Sequence, residues 1–227
     1  MKVRLNSVVK MLLAGAAIAA ASGASAQSAG QWTVAAGANK ITPKVDSGDL
    51  SAPALPGSKG DVGSDTQPVV VIAYGLTDNI TVETLLGTPY KHKVSGAGAI
   101  AGTGQLGTIQ ALPPTVFLQY RFFQPSAMVR PYVGVGITYA YFMKETGSGR
   151  LSALTDPGSP TPTTFSIDNK LAGSLQAGLV VNINERWFAN ASLVKTFLKT
   201  DVHFSTGQTQ RMKLDPQAVL VAVGYKF

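Results

Sequence analysis

The 227-residue sequence contains no cysteine and only two histidines. The first absence excludes a disulfide framework and thiolate metal sites; the second leaves little for acid–base or metal chemistry, and no cofactor is expected. Charge is also scarce, at 14% of residues against 45% hydrophobic. Lys and Arg are scattered, with no basic block and no basic stripe interleaved with aromatics, so a nucleic-acid partner has no support. Beyond the amino terminus no apolar run approaches the roughly 20 residues of a membrane-crossing helix. If the chain enters a membrane it does so as strands, because only helices and closed barrels satisfy the backbone in lipid. The 24 glycines and 13 prolines suit short strands and loops.

The amino terminus addresses the chain for export. Lys2, Arg4 and Lys10 precede an apolar run over residues 11–21, and Ala24-Ser25-Ala26 follows. This is the pattern of a signal peptide, with cleavage expected after Ala26. Residues 1–26 are thus read as a leader and residues 27–227 as one domain. The +7 formal charge includes the three basic residues of that leader.

The last eleven residues, QAVLVAVGYKF, set the pattern for the rest. Val219, Val221, Val223, Tyr225 and Phe227 share one face, which is wholly apolar; Ala218, Leu220, Ala222, Gly224 and Lys226 share the other. The period is that of a strand, and the apolar face with its aromatic end suits lipid. Seven earlier segments repeat the alternation, at residues 31–45, 68–76, 80–90, 111–123, 130–144, 168–183 and 187–204. In the last of these Lys195 interrupts the apolar face, which requires either a bulge near Val194 or a place for Lys195 at the membrane interface.

Between the strands, residues 46–67 and 145–166 read as long loops rich in Gly, Ser and Pro and residues 93–110 as a glycine-rich one, with a shorter loop near 205–211. Tight turns centre on Asp78-Asn79, Pro125-Ser126 and Glu185-Arg186. Long and short connections therefore alternate. The expected fold is all-β: an eight-stranded antiparallel up-and-down transmembrane β-barrel in the bacterial outer membrane, its last strand pairing with its first. Such a barrel encloses a narrow interior, enough for side chains or one small ligand.

Three ordered motifs then become specific: Leu112-Pro113-Pro114-Thr115 with Leu118-Gln119-Tyr120; Arg130-Pro131-Tyr132-Val133-Gly134; and Leu76-Thr77-Asp78-Asn79-Ile80 with Thr88-Pro89-Tyr90 and His92. Together they resemble the OmpW family of outer-membrane proteins. The resemblance implies a narrow, largely apolar channel for small hydrophobic solutes, which leave sideways between strands into the membrane. Pro113 and Pro114 suit a lateral opening, since they remove two ladder donors from one wall; a mere shape feature of the strand is the alternative. The resemblance also makes Phe227 the signal read by the barrel-assembly machinery.

Parity nominates Leu85, Phe117, Tyr132, Phe142, Val180 and Leu220 as lumen wall around a ligand, with Thr115, Gln119, Thr138 and Gln176 as polar neighbours. Glu83, Arg121 and Lys226 are expected to make inward polar contacts that close the periplasmic end. Passive uptake of apolar solutes is one function for such a barrel. A plugged structural or adhesive barrel acting through its loops is the other. An enzyme is not expected: Asp201, His203 and Ser205 share a strand face in the manner of a lipid hydrolase, yet equally of an ordinary polar strand end. The expected partners are outer-membrane lipids, small hydrophobic solutes and the assembly machinery.

Overall fold

The computed structural model describes residues 28–52 and 54–227, so the expected leader lies outside the described residues. In chain order the strands are β1 (Trp32–Thr42), β2 (Asp46–Ser47), β3 (Ser58–Val62), β4 (Asp65–Gly75), β5 (Ile80–Gly87), β6 (Tyr90–Gly98), β7 (Gln105–Leu112), β8 (Thr115–Arg121) and β9 (Val129–Gly147). After the short helix α1 (Gly149–Thr155) come β10 (Phe165–Ile167), β11 (Lys170–Asn182), β12 (Trp187–Phe197), β13 (Lys199–Phe204), β14 (Thr209–Lys213) and β15 (Gln217–Lys226).

These segments join into eight antiparallel staves, with β5 continuing into β6, β7 into β8, β10 into β11, β12 into β13 and β14 into β15. The barrel closes where β15 meets β1, pairing Val34 with Tyr225 and Thr42 with Gln217. Closure removes the unpaired edge that lipid cannot solvate.

Outward residues form a continuous apolar band. Val70, Val116, Leu118, Val135, Ile137, Leu175, Leu179, Leu193, Val219 and Val221 are all exposed on it. Below the band, Trp32 packs on Tyr74, Trp187 on Tyr225 and Tyr225 on Phe227, with ring centroids 4.8 to 5.2 Å apart. These rings form the aromatic girdle of a membrane interface. Lys195 faces outward with no register shift on either side, so no bulge occurs there. Its Nζ donates to the Asp215 carbonyl at 2.7 Å.

The stretches expected as loops are largely strand. β9 runs for 19 residues, about twice what a tilted crossing requires. The 46–67 stretch contains β2, β3 and the start of β4, the glycine-rich 93–110 stretch continues the β6–β7 hairpin, and residues 145–166 contain α1 and the start of β10. Outside lipid a strand requires no apolar outer face, so this extension shows no hydrophobic alternation. Its ladder rests on neighbouring staves, and Ser58, Gly60 and Val62 still turn inward beneath exposed Lys59 and Asp61.

Candidate functional site

All six nominated lumen residues point inward, but at two depths. Leu85, Phe117 and Phe142 line a cavity of about 290 Å³ in the upper half of the barrel, together with Val69, Tyr90, Ala140, Leu198 and Ala218. Val62, Ile109 and Leu214 form an apolar collar, shared between this cavity and a smaller vestibule of about 50 Å³ nearer the extracellular mouth. Tyr132, Val180 and Leu220 instead pack with Ala35, Val71, Phe188 and Ala222 into a solid lower cluster.

The large rings of the lumen, from the cavity wall down to the lower cluster, are accommodated by their cross-strand partners. Phe117 sits opposite Gly136, Tyr132 opposite Gly178, and Phe188 opposite Gly224. A Cβ at any of the three glycines would come within 2.3 to 2.5 Å of the facing ring. Each missing side chain is thus the space that a ring occupies.

A belt of hydroxyls floors the cavity. Thr115 meets Thr138 at 2.9 Å, Thr138 meets Ser174 at 2.7 Å, and Ser174 meets Thr196 at 2.8 Å, bridging four neighbouring staves. Beneath it, Arg121 donates twice to Gln119 Oε1, Gln119 Nε2 donates to Gln176 Oε1 at 2.8 Å, and Gln176 Nε2 donates to Glu83 Oε1 at 3.0 Å. Glu83 is 1% exposed and Arg121 8%. Their opposite charges and this satisfied amide chain allow both to stay buried. At the periplasmic end Arg130 reaches the Ser28 hydroxyl and the carbonyls of Asp78, Phe122 and Phe123, while the Asp78 carboxylate accepts the amides of Ser28 and Ala29. Lys226 is half-buried beside this closure.

The side wall is less complete than the floor. The β5–β8 ladder ends at Leu85 opposite Thr115, and the next pairing on that seam is Tyr90 opposite Ala111 in β6–β7. Leu86, Gly87, Thr88 and Pro89 face Leu112, Pro113 and Pro114 without a ladder between them. Three prolines supply no N–H here. Leu86, Gly87, Leu112, Pro113 and Pro114 all line the cavity, so it reaches the break. Pro113 and Pro114 are legible in the sequence as a break; Pro89 on the facing stave gains that meaning only from the register, a third proline at a strand junction being its one signal.

His203 Nε2 lies 3.5 Å from Asp168, Asp201 pairs with Lys170 and Arg211, and Ser205 Oγ accepts the Thr164 amide. The trio of Asp201, His203 and Ser205 is thus engaged with other partners.

The OmpW family model matches residues 28–227. The chain belongs to the OmpW family. Outer membrane protein W of Vibrio cholerae is 31% identical over 96% of this chain and all of that protein. The crystal structure of the outer membrane protein OprG from Pseudomonas aeruginosa has a TM-score of 0.78 at 26% identity, covering 88% of this chain and 97% of that one. A further relative, the dibenzothiophene metabolism operon protein PahQ of Pseudomonas aeruginosa, is 27% identical over 78% of this chain and 79% of that protein. This OmpW-family chain is accordingly an outer-membrane β-barrel.

Proposed function

We propose that this barrel is a passive channel that takes small hydrophobic molecules from outside, holds them in the upper cavity, and releases them sideways into the bilayer without a chemical step. The observation that carries the reading is the contrast between floor and wall. The floor beneath the cavity is a packed, hydrogen-bonded plug, whereas the wall at Pro113, Pro114 and Pro89 lacks ladder pairing where the cavity reaches it. An apolar solute gains nothing from crossing the buried Glu83–Arg121 layer and gains its full hydrophobic transfer by leaving into lipid. The relative PahQ, named as a dibenzothiophene metabolism operon protein, supports an apolar solute class.

Assembly completes the reading. Phe227 is exposed, packs on Tyr225, and donates its amide to Trp32 on the first stave. It serves as the signal for the barrel-assembly machinery. Uptake of a radiolabelled apolar solute by cells with and without the protein tests the channel. Faster uptake with the protein is expected; equal rates would contradict it.

A further inference from the structure

The cavity has one polar spot in its otherwise apolar upper wall. Asn39 on β1, and Tyr90 and His92 on β6, all line it. Asn39 Nδ2 donates to the Tyr90 hydroxyl at 2.8 Å. Asn39 is only 5% exposed, yet its Oδ1 is buried without a hydrogen-bond partner among the described residues. Such an orphan is costly in a native interior and marks this as the under-satisfied polar stretch of the cavity wall, although Oδ1 itself is closed off from the space.

His92 supplies an acceptor. Its Nδ1 lies 2.7 Å from the Gly63 carbonyl, which can only accept, so Nδ1 holds the proton and Nε2 of the neutral ring keeps a lone pair.

We propose that Asn39, Tyr90 and His92 form a polar anchor that selects apolar guests carrying one hydroxyl group, such as phenols, fused-ring alcohols or short alkanols. This deepens the channel reading and rests on it. Among neutral polar groups, a hydroxyl matches the wall best. An ether or carbonyl only accepts and cannot use His92 Nε2. A charged head would lose its hydration in a cavity walled by Leu85, Phe117 and Phe142. The Tyr90 hydroxyl accepts from Asn39 and keeps its own proton to donate, so a guest hydroxyl, which both donates and accepts, can bond Tyr90 as well as His92. A hydrocarbon displaces whatever water satisfies these atoms and replaces none of its bonds, whereas a hydroxyl replaces them. At about 290 Å³ the cavity is near the small end of ligand sites, so a single anchor is enough to orient the guest.

The test uses the full barrel in phospholipid nanodiscs and two radiolabelled probes of like shape, 2-naphthol and 2-methylnaphthalene. Binding is corrected for partition into protein-free nanodiscs. Saturable binding of 2-naphthol roughly tenfold tighter than 2-methylnaphthalene is expected, and Asn39→Leu or His92→Phe should remove the difference between the two probes. Equal affinities in the wild type, which require no variant to fold, would overturn the anchor while leaving the channel standing. A preference that survives in both variants, shown folded by heat-modifiable gel mobility, would also overturn it. Saturable binding of neither probe would overturn the anchor and the channel together.

Discussion

The ring of Phe117 lies over Gly136, its direct partner across the β8–β9 ladder, and a Cβ added at Gly136 would stand 2.4 Å from the ring. Gly136→Ala must therefore displace Phe117 or distort the ladder. The expected cost is about 1–3 kcal/mol, as for overpacking in a close-packed core. Urea unfolding followed by tryptophan fluorescence in detergent measures it. Adding Phe117→Leu should recover part of the loss; full additivity of the two changes would show that ring and glycine do not share the space.

Glu83 and Arg121 are a buried opposite-charge pair held through Gln119 and Gln176. Arg121→Met alone leaves an uncompensated buried carboxylate and should destabilise by about 3–5 kcal/mol. The double variant Glu83→Leu, Arg121→Met should be more stable than that single variant. Urea midpoints that fall further in the double variant would argue against charge pairing.

At the wall break, Pro113→Ala with Pro114→Ala restores two backbone donors. Uptake of an apolar solute should slow several-fold if these donors allow β7 and β8 to seal against Leu86–Pro89. Unchanged uptake in a folded variant would place the exit elsewhere.

His92 lies between outward Lys91 and Lys93, above the apolar band. Burial holds its ring below the ordinary value of 6.5, partly opposed by the Gly63 carbonyl and by Asp65. As pH falls through 6.5, the unfolded chain takes up a proton that the folded chain does not, so stability drops over that window. Asp65 does not share it: burial pushes its carboxyl up, but bonds from Gln67 and the Lys91 amide hold it below its ordinary 3.8. The urea midpoint should fall from pH 7.5 to 5.5 in the wild type and fall less in His92→Gln. Parallel curves would contradict the assignment.

Much of the barrel was legible because lipid imposes a period. Val219, Val221 and Val223 must all be apolar, and each short turn must carry its own polar residues, so eight staves can be counted. The upper extension imposes no such rule, and residues 93–110 therefore read as loop although they form a hairpin. Parity assigned Leu85 and Leu220 to the inside, but it cannot assign depth across staves. Depth depends on the tilt and shear of the closed barrel, which place Leu85 beside the cavity and Leu220 in the plug. Asn39 was invisible for a related reason: its significance lies in Tyr90, which β1 meets only once the barrel has closed around them.

The most direct measurement of the route is photolabelling of the nanodisc-embedded barrel with a small apolar diazirine, followed by peptide mapping. Lumen labelling is expected at Leu85, Phe117 and Phe142 and at the break around Pro113 and Pro114, with none at Tyr132, Val180 or Leu220. Labelling of those three, at the level of the Glu83–Arg121 layer, would mean that solutes pass through the floor, and would contradict lateral release.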